Sequence, residues 1–264
     1  MRQILAVLLA ALLLNGCGLL PAQVDETKDW SAAKLYDKAK EQLQDSNYED
    51  AIKYYEKLEA RYPYGPYAQQ AQLEVAYAYY KDSQPVSCVA ACDRFIKLHP
   101  DHPNVDYAYY LKGLANFGES DSLLLTLVND QDLSQRDPKA AEESFNAFKE
   151  LTTRFPNSKY TPDALARMRY LVNNLAMHEV IVAEYYYRRG AYVAAANRAQ
   201  YVLDHYQQAP AIERALAVMA KSYDKLGLTV LRDQTISVLH KNFPNSPWLS
   251  GKAIKQEKPW WRFW

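Results

Sequence analysis

Asn47-Tyr48-Glu49-Asp50-Ala51-Ile52-Lys53-Tyr54-Tyr55-Glu56-Lys57-Leu58, closing with Arg61-Tyr62-Pro63, is the stretch that decides the fold. Tyr48, Ala51, Tyr55 and Leu58 recur at intervals of three and four, which puts them on one face of an α-helix. Pro63 cannot continue that helix and sets the turn after it. Twelve residues before Ala51 stands Ala39, on an earlier amphipathic stretch. Small residues at such a crossing let two antiparallel helices approach closely, so residues from about 31 to 63 read as one helical hairpin.

The same marks return four times. Ala76 and Tyr79 precede Cys88, Cys92 and Phe95, closed by His99-Pro100; Tyr109 and Gly113 precede Phe148 and Leu151, closed by Phe155-Pro156. Ala183 and Tyr186 precede Tyr192, Ala195, Ala199 and Val202, closing near Tyr206-Gln207; Ala220 and Tyr223 precede Ile236 and Leu239, closed by Phe243-Pro244. The frame resembles the tetratricopeptide repeat (TPR): Pro63 to Pro100 is 37 residues, against a TPR period of about 34. One hairpin cannot bury its apolar face alone. The expectation is an all-α TPR superhelix (an α-solenoid) of five hairpins over residues 31–250, with a concave surface. Unrelated helices in a non-repeating bundle would not hold small, aromatic and Pro marks in register five times.

Two departures interrupt the frame. An insertion at about 117–138 separates the helices of the third hairpin. It carries Asp121, Asp130, Asp132 and Asp137 but lacks the Gly and terminal Glu of a calcium loop, and Asp137-Pro138 reads as the start of the next helix. Thr161-Pro162-Asp163 opens a further helix with Met168, Leu171, Val172 and Leu175 on one face. That helix either lengthens the first arm of the fourth hairpin or adds a turn before it.

The ends differ from the middle. Arg2, an apolar run from Ile4 to Leu14 and Asn15-Gly16-Cys17 make a secretory signal peptide over residues 1–16, too short to span a bilayer. Leu14-Asn15-Gly16-Cys17 resembles a bacterial lipobox, although Asn15 replaces the usual small residue there. Cys17 is then the lipidation site, carrying diacylglycerol and an N-linked acyl chain, and residues 17–30 are the tether from lipid to fold. A plain signal peptide with an incidental Cys is the other reading. At the far end, residues 251–264 form a basic and aromatic tail containing Lys258, Trp260, Trp261, Arg262, Phe263 and Trp264. It suits a membrane interface, an aromatic-accepting groove, or folding back onto the last hairpin.

Composition narrows the function. Lys plus Arg equals Asp plus Glu at 31 each, so there is no electrostatic footprint for nucleic acid. The 22 Tyr among 264 residues give apolar bodies with polar tips, suited to half-buried surfaces and partners. Cys88 and Cys92 with His99 and His102 could hold zinc, or the two Cys could bridge, but i and i+4 on one helix strain a disulfide; two buried free thiols are the simpler reading. There is no Gly-x-Ser-x-Gly, no His-Glu-x-x-His and no phosphate-cradling Gly loop. The expectation is a scaffold, without catalytic residues, metal or soluble cofactor.

Several stretches are more specific than generic TPR marks. They are Arg61-Tyr62-Pro63-Tyr64-Gly65-Pro66-Tyr67, Ala76-Tyr77-Ala78-Tyr79-Tyr80-Lys81, Arg136-Asp137-Pro138, Phe155-Pro156-Asn157-Ser158, and Val182-Ala183-Glu184-Tyr185-Tyr186 with Arg189-Gly190-Ala191. With the lipobox and insertion, the chain to about Leu249 resembles the TPR lipoproteins of the outer-membrane β-barrel assembly (Bam) machinery. That resemblance implies a lipid-anchored scaffold on the periplasmic face of the outer membrane. It implies binding of unfolded β-barrel segments by the amino-terminal repeats, through Tyr62, Tyr64, Tyr67, Tyr79 and Tyr80. It implies docking of BamA by the carboxy-terminal repeats, through Arg198 with Arg188 and Arg189 nearby, and BamC-type and BamE-type lipoproteins as further partners. Gly18, in place of the Asp that retains lipoproteins at the inner membrane, fits outer-membrane sorting by the same resemblance. The alternative is a TPR lipoprotein serving pilus secretin assembly or cell-wall coordination. The tail after Ile254 lies outside the family pattern.

Overall fold

A computed structural model describes residues 25–118 and 138–249. The signal peptide, Cys17, the insertion apart from its flanks, and the aromatic tail lie outside the described residues. Within them the regular structure is helical: α1 (Ala32–Gln44), α2 (Tyr48–Arg61), α3 (Pro66–Lys81), α4 (Pro85–Leu98), α5 (Val105–Phe117), α6 (Pro138–Arg154), α7 (Thr161–Arg188), α8 (Tyr192–His205), α9 (Ala211–Lys225) and α10 (Thr229–Asn242). These make the five hairpins of a TPR array. The chain divides into two compact units, one ending at Ala71 and one starting at Gln72, so the boundary falls within α3.

In the first unit α1 packs against α2. The Ser31 hydroxyl caps α1 by accepting from the Lys34 amide at 3.3 Å, satisfying one of the free donors of the first turn. Leu35 and Ala39 meet Ala51, Tyr55 and Leu58, all fully buried. Each large side chain among them contributes about 1.5–3 kcal/mol by leaving water. Ala39 and Ala51 stand where the hairpin frame requires small residues.

The second unit is built the same way. Leu73 of α3, Phe95 of α4 and Ala108 of α5 form one buried cluster. Gly113 of α5 lies close against α6: an added Cβ would stand 2.6 Å from Phe148 Cδ1. The Ser144 hydroxyl donates to the Gly113 carbonyl at 2.9 Å across the same contact. Gly113 therefore has a packing reason: the ring of Phe148 occupies the space a side chain would need.

Helix α7 settles the choice left open by the sequence. It is one continuous helix of 28 residues, about 42 Å at 1.5 Å per residue. Its first half supplies Ala164 and Leu171 to the core containing Tyr109, Phe148 and Leu151. Its second half supplies Ala176, Val180 and Ala183 to a core shared with Ala195, Ala199 and Val202 of α8 and with Ala215, Leu216 and Met219 of α9. The added segment thus lengthens the first arm of the fourth hairpin. One expectation fails: Ile236, marked for packing by its spacing, is 39% exposed on α10.

Candidate functional site

Three of the five candidate tyrosines stand together in the first unit. Pro63 ends α2, Gly65 turns the chain at φ 100°, and Pro66 opens α3. A side chain at residue 65 would be strained at that φ. The sharp turn leaves Tyr64 91% exposed, with Tyr62 at 38% and Tyr67 at 43%. Tyr67 packs its ring 5.5 Å from that of Tyr36, which lies 6.2 Å from buried Tyr55. The result is an aromatic strip that runs from the core to the surface.

The segment before α1 supports this strip. Residues 25–30, the end of the stretch expected as tether, are fastened to α2. Lys57 Nζ donates to Asp25 at 3.1 Å, and the Arg61 guanidinium donates to Asp25 and to the Thr27 carbonyl. The Thr27 hydroxyl and Lys57 ammonium, helped by the Arg61 charge, hold the Asp25 carboxyl well below the ordinary carboxylate range. The Trp30 ring stacks on Tyr54 at 6.0 Å, and the Tyr62 hydroxyl donates to the Trp30 carbonyl at 2.8 Å. Sequence reasoning missed Trp30 and Tyr36. Tyr36 carried a signal, since it stands three residues before Ala39 on the packed face of α1.

Tyr79 and Tyr80 belong to the second unit and are half-buried. Tyr80 packs against the core of Tyr109, Phe148 and Leu151. Its ring fills space between helices, unlike the rings of the Tyr62–Tyr67 turn.

The candidate arginines lie on α7, α8 and the turn between them. Arg198 Nη1 donates to Glu179 Oε2 at 2.9 Å; the Arg198 side chain is 47% exposed and that of Glu179 only 16%. Beside them is an open depression of about 320 Å³ lined by Tyr186, Ala194, Asn197, Arg198 and Tyr201. Arg189 sets its guanidinium 5.4 Å from the centre of the Tyr185 ring. Arg188 stands 4.0 Å from Glu184. Glu184 is taken by a residue the sequence did not single out: Arg214 of α9 donates through Nε at 2.6 Å and Nη2 at 2.7 Å. That fork is the strong bidentate form of the pair. Thirty residues separate its members, and no local spacing could have announced it.

The cysteines are inert packing residues here. Cys88 and Cys92 are free and fully buried on α4. The hydrogen bond that Cys92 shares with Cys88, together with burial, pushes the Cys92 thiol well up, away from the reactive thiolate. His99 holds the side chain of Gln72 at 2.7 Å, and burial pushes its imidazole down. Among the described residues, no group of three or more His, Cys, Asp and Glu stands close enough to hold a metal ion.

Comparison with known proteins gives the family of the chain. Residues 28–239 match the family of outer membrane lipoproteins known as YfiO. The chain is 48% identical to the outer membrane protein assembly factor BamD of Neisseria meningitidis serogroup A, across 100% of both chains. The chain belongs to the BamD family. The BamD of Xylella fastidiosa strain Temecula1 is 41% identical over 94% of this chain and 85% of its own. That of Vibrio cholerae is 36% identical over 91% and 98%. Among solved structures, TPR-like repeats of a Podosopora anserina putative kinesin light chain cover 80% of this chain and 95% of their own, at 15% identity and a TM-score of 0.35. The hairpin geometry carries the fold without that alignment. As a BamD-family chain it is an outer-membrane-associated assembly factor and a scaffold, not an enzyme. Among the described residues no helix is long and apolar enough to cross a membrane.

Proposed function

We propose that this chain is the lipid-anchored scaffold of a β-barrel assembly complex on the periplasmic face of the outer membrane. Acyl chains on Cys17 hold it there. The first unit offers the Tyr62–Tyr67 turn to extended segments of unfolded barrel proteins. The α7–α8 surface docks BamA through Arg198, with Arg188 and Arg189 beside it. BamC-type and BamE-type lipoproteins are further partners.

The observation that carries the reading is the exposure of Tyr62, Tyr64 and Tyr67 on one rigid turn. Tyr64, held in water by the turn of Pro63, Gly65 and Pro66, gains nothing for the fold, and Tyr62 and Tyr67 keep part of their rings exposed beside it. Against an aromatic chain end they supply stacking area at little entropic cost. Tyr80 packs against a core cluster and Tyr79 is half-buried, so the contact is assigned first to the turn with Tyr36 behind it. For BamA, Arg198 presents an exposed guanidinium whose partner Glu179 is mostly covered. A carboxylate on BamA can share that guanidinium while Glu179 keeps it oriented.

The test separates the two surfaces. Arg198→Ala should weaken binding of the BamA periplasmic region about ten-fold, or ~1.4 kcal/mol. Its melting temperature should hold nearly constant, since a half-exposed pair contributes ~1 kcal/mol or less. Tyr64→Ala with Tyr67→Ala should leave BamA binding intact and abolish photocrosslinking to a barrel-derived peptide ending in an aromatic residue. A large loss of melting temperature in Arg198→Ala with BamA binding unchanged in the folded fraction would refute the docking role. Undiminished peptide crosslinking in the tyrosine variant would refute the substrate role.

A further inference from the structure

The last hairpin has an outer face that nothing among the described residues covers. In a stack of helical hairpins each copy buries its face on the next, and the terminal copy needs a cap or a polar exterior. Helix α10 exposes Asp233, Gln234, His240 and Lys241, but it also leaves apolar side chains in water. Val230 is 68% exposed, and Leu231, Ile236 and Val238 are exposed with it. Only Thr235 and Leu239 of α10 are buried. Ile236 and Leu239 form one wall of a cavity of about 310 Å³, which Tyr187, Ala220, Trp248 and Leu249 complete. The exposure of Ile236, unexpected from its spacing, is thus an unfilled place in the packing.

The described chain stops at Leu249, in the wall of that cavity. Residues 250–264 follow, and they hold Ile254, Trp260, Trp261, Phe263 and Trp264. We propose that this segment is the cap of the last hairpin, seating an indole in the cavity and covering Ile236 on α10. Three arguments support it, none drawn from the proposed substrate or BamA contacts.

The first is reach. Trp260 stands eleven residues beyond Leu249, so the chain can extend up to ~36 Å to it. Helix α10, with 14 residues, is about 21 Å long. The second is size. A cavity of ~150 Å³ lined by apolar side chains accepts a benzene, so the larger one here admits an indole. The third is chemistry. The wall already pairs a cation with an indole, Lys221 lying 4.5 Å from the centre of the Trp248 ring. Arg232 bridges Asp224 at 2.9 Å and Asp233 at 2.8 Å, and both carboxylates remain more than half exposed. Lys258 and Arg262 flank the indoles of the segment and find those carboxylates at the rim. Covalent attachment at the rim raises the effective concentration of the segment to the millimolar range, an advantage that a separate protein lacks.

The experiment uses the full chain with Cys17→Ala, so that no acyl chain competes. Amide exchange is followed in Trp260→Ala with Trp261→Ala, in Ile236→Ser, and in the parent. The double variant should exchange its α10 amides at least ten-fold faster, with α8 unchanged. Ile236→Ser should in turn deprotect the amides of residues 260–264. The conservative pair Trp260→Phe with Trp261→Phe should restore most of the protection. Three results would overturn the proposal: equal exchange in all four chains; protection that rises with protein concentration, which makes a second copy the occupant; or protection of the tail that requires phosphatidylethanolamine–phosphatidylglycerol vesicles, which makes the bilayer the occupant.

Discussion

The Tyr62–Tyr67 turn of the first unit and the arginine surface of the second are both exposed, but they are built on opposite plans. In the turn, backbone devices do the holding: two prolines and Gly65 fix the chain, while Tyr64 makes almost no use of the fold. On α7–α9 the side chains hold one another. Arg198 is tied to Glu179, and Arg214 grips Glu184 with two nitrogens. The first plan separates recognition from stability most fully at Tyr64, because removing that exposed ring leaves the hairpin core untouched. The second couples them at Arg214, whose two-nitrogen grip balances a mostly buried carboxylate, and far less at the half-exposed Arg198.

The sharpest way to break that contrast is to cut the most buried pair. Arg214→Ala leaves Glu184, whose side chain is 16% exposed, without its fork. Breaking a fully buried pair costs ~3–5 kcal/mol. Arg214 is itself 33% exposed, so about 2 kcal/mol is expected, read as a lower midpoint in urea. Arg214→Lys should recover only part of this, since an ammonium cannot bridge both oxygens. The double substitution Tyr64→Ala with Tyr67→Ala should shift the same midpoint far less. Equal losses in the two experiments would erase the distinction between the surfaces.

The hairpin turns give a second contrast, and they show what the sequence did and did not disclose. Ala39, Ala51, Gly113, Ala183, Ala195 and Ala199 were legible because a small residue at a helix crossing has one physical reason to be there, and all six are buried. The turns after α7 and α9 were half legible: Gly190 and Gly227 sit at φ 78° and 73°, where glycine is the default. Ser46 and Ser83 occupy the same left-handed region after α1 and α3, at φ 63° and 57°. Serine gives no sequence signal for that conformation. Ile236 failed for another reason: periodicity identifies a face but not what covers it. The Arg214–Glu184 fork and the clamp of Asp25 by Lys57 and Arg61 join residues some thirty positions apart, and only the fold brings them together. Gly190→Ala should therefore destabilise by about 1–2 kcal/mol, and Ser83→Gly should stabilise by a few tenths to ~1 kcal/mol. Opposite shifts in thermal midpoint would confirm that the two turns share one conformation. A destabilised Ser83→Gly would show that its hydroxyl, rather than its backbone, sets the turn.

The smallest effect concerns a tyrosine built on the second plan. Tyr110 stacks on Tyr160 with ring centres 4.7 Å apart and donates its hydroxyl to Asp163 Oδ2 at 2.7 Å. Burial pushes its phenol up to about 12, and the hydrogen bond to the Asp163 carboxylate adds to the shift. Burial works against the Asp163 charge, yet the hydrogen bonds from Arg167 and Tyr110 with the Arg167 charge outweigh it and hold that carboxyl below the usual range. An unfolded tyrosine titrates near ~10. The folded value is higher, so the stability Tyr110 contributes is complete below pH ~10 and is lost as pH rises through about 12. Tyrosinate absorbance should therefore show a late component near pH 12 that loses amplitude in Tyr110→Phe; Tyr206, also pushed up to about 12 by burial, keeps part of it in that variant. Removing the carboxylate with Asp163→Asn should move the Tyr110 step toward lower pH, because the neutral amide no longer favours the protonated phenol. If the step stays in place in Asp163→Asn, burial alone sets it, and Tyr110 resembles the rings of the first unit in owing little to a charged partner.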